Sequence, residues 1–288
     1  MPNISQYPIR YLRVPLRHPE DWRSLVFLGL LAALILVHWL DLYRNPLLLI
    51  PTCVLAFLAC VIKHNHVHRS VFTSRIWNHV FNYTLAFATG QSTVSVIPVH
   101  NDRHHRQNQT EEDCVRSTLV RHKWNWINLL LFPFTAIGQV RKRKGGDFAR
   151  MASRHPGLAR QWQRERLAVL CLALLLLAAD TRATLLYCVL PWIFGQWGIV
   201  TINLLQHQGC DHDSLYNHSR NITGKWINWL FLNNGFHTAH HMRPGLHWSR
   251  LPEWHNRHVA AHIDPELGHP SLALSIWRQF FIPPRESH

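Results

Sequence analysis

Residues 22 to 40, WRSLVFLGLLAALILVHWL, and residues 46 to 62, PLLLIPTCVLAFLACVI, are separated only by Asp41 to Asn45. Each run is close to the roughly 20 apolar residues that carry an α-helix across the hydrocarbon core of a bilayer. A second pair repeats the arrangement: 166 to 179 (RLAVLCLALLLLAA) and 183 to 206 (ATLLYCVLPWIFGQWGIVTINLLQ), linked by Asp180 to Arg182. A water-soluble domain spreads its apolar residues along amphipathic periods, whereas here they are gathered into blocks. The pattern predicts an all-α membrane protein with four transmembrane helices in two hairpins, at about 22–40, 46–62, 166–179 and 183–206. The stretches 63–165 and 207–288 then form a helical cap, and residues 1–288 make a single membrane domain.

The first block follows several arginines, as a signal peptide would, but it lacks a small-residue cleavage site and leads straight into a second apolar run, so it is read as retained. The formal net charge is +14, and its placement is informative. Arg10, Arg13, Arg17 and Arg23 precede or open the first block, Lys63 and Arg69 follow the second, and Arg141, Lys142, Arg143 and Lys144 lie between the two pairs. The short turns are nearly neutral. By the positive-inside rule the termini and the long middle segment are cytoplasmic. No nucleic-acid-binding motif accompanies the basic charge, so that partner class is set aside.

Residues 1 to 21, with prolines at 2, 8, 15 and 19, are too interrupted for a long helix. Segment 76–99 is expected along the membrane face, and 124–137, which opens with tryptophans, as an interfacial helix. Of the six cysteines, Cys53, Cys60, Cys171 and Cys188 lie in apolar blocks and none forms a C-x-x-C pair. They read as small buried hydrophobes rather than a disulfide framework. With no haem-attachment or cluster-binding cysteine pattern, electrons for any redox chemistry are expected from a separate protein.

Three histidine clusters fall on the predicted cytoplasmic side: His64-x-x-x-His68, His100-x-x-x-His104-His105 and His237-x-x-His240-His241. Helical residues three and four apart share a face, so each cluster aims two or three imidazoles at one point. A tetrahedral zinc takes at most four ligands, so these eight histidines are most simply read as holding two metal ions. Imidazole alone does not select among iron, zinc, copper and nickel. His66 points to the opposite helix face and is left out. Asn203-x-x-x-His207 ends the last block; on residues alone it is either a further ligand with an amide beside the metals or an ordinary pair of interfacial polar residues. No carboxylate motif substitutes for the histidines, and Asp102, Asp211 and Asp213 are assigned at most hydrogen bonds to ligating rings. Of the other histidines, His212 and His247 lie nearest the clusters in sequence.

The three boxes, in this order and with apolar pairs between them, resemble the integral-membrane fatty acid desaturase and hydroxylase superfamily over roughly residues 25 to 260. Asn234 to His241 is similar to its third box with the usual lead-in, and Asn203-x-x-x-His207 to the asparagine and outlying histidine of the acyl-CoA members. The resemblance implies two non-haem iron ions held by His64, His68, His100, His104, His105, His207, His237, His240 and His241, with Asn203 beside them. It also implies dioxygen as co-substrate, a fatty acid or fatty acyl substrate entering from the bilayer, an external electron donor such as ferredoxin, and a bacterial inner-membrane location. Desaturation is the simplest reaction. Hydroxylation, or oxidative decarboxylation to a terminal alkene, shares the centre and differs only after the first hydrogen abstraction. A metal transporter would line its path with ionisable groups inside the spans, and these are nearly bare of them apart from His38. The run Arg141 to Lys144 is expected to anchor at lipid head groups or, less simply, to dock an acidic electron carrier.

Overall fold

A computed structural model describes residues 15–43 and 45–282. The prolines at 2 and 8, Arg10, Arg13, Arg44 and His288 lie outside the described residues. In chain order the helices are α1 (Trp22–Trp39), α2 (Leu49–His68), α3 (Arg75–Thr89), α4 (Val96–Val99), α5 (Asn125–Arg154), α6 (Pro156–Ala179), α7 (Thr181–Thr184), α8 (Leu190–His207), α9 (Lys225–Leu230), α10 (His237–Met242), α11 (Leu251–His258) and α12 (Leu272–Phe280). The described strands are a parallel pair of two residues each, β1 (Asn221–Ile222) and β2 (Gly268–His269). The protein is all-helical in substance.

Three helical stretches are long and apolar enough to cross a membrane: Pro19–Trp39, Pro46–His68 and Thr181–His207. They contain the blocks expected at 22–40, 46–62 and 183–206. The block at 166–179 lies on α6, but Arg160, Arg164, Glu165 and Arg166 occupy the first half of that helix. Its uninterrupted apolar run, Leu167 to Ala179, spans about 20 Å at 1.5 Å per residue, against a hydrocarbon core of about 30 Å. The turn after α6 is made by Asp180, whose Oδ1 accepts from the Ala183 N–H at 2.8 Å and caps α7.

Helix α2 is central, packing against α1, α3 and α8. Phe27 and Leu31 of α1 meet Leu58 and Ile62 of α2, with Leu85 of α3 and Leu232 and Leu251 of the C-terminal region completing the core. The approach of α8 to α2 depends on two glycines. A Cβ on Gly195 would stand 2.7 Å from the Ala56 carbonyl oxygen, and one on Gly198 would stand 2.8 Å from the Phe57 ring. The opposite faces of the long helices stay apolar and uncovered: Leu30 and Leu36 on α1, Leu174 and Leu175 on α6, and Ile193 just into α8 are all exposed. Hydrophobic surface left facing outward on several long helices is what a lipid environment stabilises.

Lys63, counted among the cytoplasmic charges on sequence grounds, is instead buried, donating to Thr89 Oγ1 at 2.8 Å and Gln91 Oε1 at 3.3 Å. Helix α3 begins with Ser74 as its cap and ends at Gly90, whose φ of 64° permits the left-handed turn toward Lys63. Helix α5 runs unbroken through Pro133 and through the basic run 141–144. Its buried Asp147 pairs with Arg103 at 2.7 Å, and its Arg143 pairs with Glu112 at 2.7 Å, so the segment carrying the second histidine cluster is clamped to this helix.

Candidate metal centre

The last turns of α2 and α8, the segment after α4, and α10 bring their histidines to one place. Five of them form one group, His64, His68, His100, His105 and His240, and four form another, His104, His207, His237 and His241. Within each group one ligand atom per residue lies within 4.8 Å of all the others. The nine histidines expected from the sequence are thus gathered without a stranger, and the His105 and His241 rings, 4.4 Å apart, join one group to the other.

Box one follows the α-helical rule: His64 and His68 stand a turn apart on α2 and enter the same group. His66 turns away, accepting from the Val71 N–H at 3.2 Å and packing on Phe81. Box two does not follow it. Residues His100–His104 form a π-helical turn, closed by the His105 N–H donating to the His100 carbonyl at 2.9 Å. An α-helix would turn His105 well away from His100; the wider π turn brings residues five apart onto one face, so their Nε2 atoms meet at 3.0 Å and His104 is turned to the other group. In box three the i,i+4 pair His237 and His241 serves the group of four, and His240 serves the group of five.

His64 Nε2 faces His240 Nε2 at 3.0 Å and His237 Nε2 faces His207 Nε2 at 2.9 Å, while His68, His104 and His241 each bury an Nε2 with no partner. On the far side, Nδ1 atoms are held. His104 Nδ1–H donates to Asp113 Oδ2 at 2.9 Å and His207 Nδ1–H to the His218 carbonyl at 3.2 Å. A proton on Nδ1 leaves the Nε2 lone pair directed into the cluster, the arrangement of metal-ligating histidines. Burial, reinforced by the neighbouring rings, lowers His100, His237, His240 and His241 well below the ordinary imidazole range. Those four rings are therefore neutral at physiological pH. Orphaned, converging, neutral nitrogens fit a pair of metal ions.

Asp113 is the carboxylate that sequence reasoning missed. Asp102 is half-exposed and sits 3.9 Å from Arg106, and Asp211 Oδ1 accepts from the Asp213 N–H at 3.2 Å, away from the rings. Asp113 is fully buried and also accepts from Gln109 N–H at 3.1 Å and Val115 N–H at 2.9 Å. Burial alone would raise its carboxyl, but the facing His104 ring and these donors bring it below its ordinary value. His212 and His247 belong to neither group. Asn203 donates its amide to the Val115 carbonyl at 2.9 Å, and its side chain lines a cavity beside His100 and His237.

That cavity, about 440 Å³, is lined by His64, His100 and His237 and by apolar side chains such as Phe57, Val61, Val169 and Ile199. Arg141, Lys144 and Arg166 also line it. Burial, then the charges of Arg166 and Arg141, lowers the Lys144 ammonium below its ordinary value, and the Asp147 carboxylate that lines the same cavity is paired with Arg103.

The chain is thus a helical protein with membrane-length apolar helices that end in a double histidine cluster under an apolar cavity. Its sequence matches the fatty acid desaturase family model over residues 42–271, and it belongs to that family. No curated protein matches the chain.

Proposed function

We propose that the protein is a membrane-embedded, oxygen-dependent di-iron oxidoreductase acting on a fatty acyl chain, most simply a fatty acid desaturase. The observation that carries this reading is the two adjacent groups of five and four converging imidazoles, of which His64, His100 and His237 line a largely apolar cavity. Imidazole suits several metals, but an all-nitrogen pair of sites with family membership in the desaturases favours iron. His64, His68, His100, His105 and His240 would hold one ion, and His104, His207, His237 and His241 the other. When bound, the pair supplies the oxidising power, with dioxygen and two external electrons, that an unactivated C–H bond requires.

The chain's own residues do the rest. Phe57, Val61 and Ile199 exclude water from the cavity and hold an apolar chain with its reacting carbon beside His64, His100 and His237. Arg141, Lys144 and Arg166 would hold the anionic end of the substrate, and so fix which carbon reaches the histidines. Asp113 and the His218 carbonyl keep His104 and His207 in register. Asn203 stands where its amide oxygen can order a water near the rings.

In the membrane, α6 would complete a set of four spans: Leu167, Leu170, Leu174 and Leu175 are exposed, and Arg166 in its charged first half lines the cavity that His64, His100 and His237 also line. The basic segment 141–144 and the histidine boxes then face the cytoplasm, where a ferredoxin-like donor delivers electrons.

Fatty acid profiling by mass spectrometry, with an electron donor supplied, tests the proposal. New double bonds are expected; added oxygen or a lost carbon would assign the same centre to hydroxylation or decarboxylation. His240→Ala should lose the group-of-five metal and all turnover. Iron-loaded protein that consumes no oxygen with any acyl substrate would overturn the reading.

A further inference from the structure

A third cluster lies apart from the nine histidines. His18 precedes the short turn Pro19–Asp21 that opens α1, and His247 ends the loop that follows α10. One ligand atom from each of His18, Glu20 and His247 lies within 4.8 Å of the others. We propose that these three residues, with Asp21 beside them, form a separate site for a divalent transition metal, zinc by its donor set.

The first argument is geometric. His247 Nε2 and Asp21 Oδ2 face each other at 3.2 Å, both side chains 3 % exposed, yet neither atom has a hydrogen-bond partner. Two donors on one tetrahedral zinc, each about 2.0–2.1 Å from it, stand roughly 3.3 Å apart. The nine-histidine centre holds its facing nitrogens at similar separations, 2.9–3.0 Å. His18 Nε2 is a further buried atom without a partner. Its ring stacks on that of His247 with centroids 3.9 Å apart and planes 17° apart.

The second argument is the support around the donors. Asp21 is held through its other oxygen, which accepts from Trp248 Nε1–H at 2.9 Å, and Trp248 is in turn covered by the Arg23 guanidinium 4.5 Å from its ring centre. His247 Nδ1 accepts from the Ser249 backbone N–H at 3.3 Å and lies 2.8 Å from Ser249 Oγ, so the ring is held by its Nδ1 edge with the Nε2 edge turned to Asp21. Two imidazoles with one or two carboxylates is a zinc-type donor set.

The site has a mechanical role. His247 shares a small crevice with His68 and His240 of the group of five, so an ion here would pin the entry to α1 against the loop that leaves the third box. The strand-like contact of Leu16 with Phe72 ties the same entry to the segment following α2.

The inference is independent of what the nine histidines bind, and the experiment reads a difference. Full-length protein, purified in detergent, is analysed for iron and zinc and then titrated with zinc against a chromophoric chelator. The wild type should hold one zinc more than His18→Ala, whose affinity for that ion falls at least about 100-fold, with iron content equal in both. His18→Cys, which restores a zinc ligand, should recover the ion; that recovery separates lost ligation from a lost ring stack. Equal zinc content and affinity in wild type and His18→Ala would overturn the proposal and leave His247 and Asp21 as a buried ion pair.

Discussion

Asp113→Asn is the sharpest perturbation of the proposed metal centre that leaves all nine histidines in place. The carboxylate accepts three hydrogen bonds, from His104 Nδ1–H at 2.9 Å, Gln109 N–H at 3.1 Å and Val115 N–H at 2.9 Å. An amide has one accepting oxygen. If it keeps the Val115 bond, its NH2 confronts His104 Nδ1 and the Gln109 N–H together, and His104 must move its proton to Nε2, the atom aimed into the group of four. The loss is one charge-assisted hydrogen bond, about 1.5–3 kcal/mol, which converts to roughly 10- to 100-fold in metal affinity at that group. The group of five has no contact with Asp113 and should be spared. Metal quantification on purified protein during a chelator time course reads this directly: the variant should release one of two ions at chelator levels that leave the wild type loaded. Asp102→Asn, altering an exposed carboxylate beside the same box, should behave as wild type. Two ions held by the variant with wild-type chelator resistance would refute the orienting role of Asp113.

Other consequences concern stability. Arg103→Met leaves buried Asp147 with only the exposed Arg150 at 3.7 Å and should cost about 3 kcal/mol, read as a fall in the thermal midpoint in detergent that Asp147→Asn in the same chain partly restores. Gly195→Leu drives a side chain into the Ala56 carbonyl and should separate α8 from α2, costing about 1–3 kcal/mol and displacing His207 from the other ligands, read as loss of metal from the group of four. The metal-free protein should be acid-labile. His100, His237, His240 and His241 are lowered chiefly by burial, so between their folded values and the ordinary 6.5 the unfolded chain binds more protons. Their contribution to stability is present above about pH 6.5 and is lost as pH falls below it, by about 1 kcal/mol per ring down to pH 5.5. Unfolding midpoints of the metal-free protein that do not change between pH 7.5 and 5.5 would contradict the buried, neutral rings.

The long apolar helices were legible because a bilayer demands continuous runs near 20 residues, and such runs stand out in composition alone. Box one was legible for a similar reason: His64 and His68 are one α-turn apart, and helix geometry carries that spacing to one face. Box two shows where spacing stops helping. His100, His104 and His105 look like one α-helical face, but the π turn divides them, and nothing in that stretch announces the extra residue in the hydrogen-bonded ring. Asp113 was missed because it follows box two across an irregular loop, and its approach to His104 depends on how that loop closes. Lys63 was read as a surface charge because it follows an apolar run, whereas Thr89 and Gln91, from the neighbouring helix end, supply partners for it inside.

What the sequence by itself determined was therefore periodic and local: which segments are apolar for the length of a membrane, and which eight histidines are clustered, with His207 left open on the residues and added by the family resemblance. Their division into groups of five and four, the buried carboxylate behind His104, and the meeting of His18 with His247 were decided only by the tertiary structure. The physical reason is range. A helix fixes the direction of side chains a few residues apart, but donors from α2, α8, α10 and the π turn share a centre only once the core between those helices has packed.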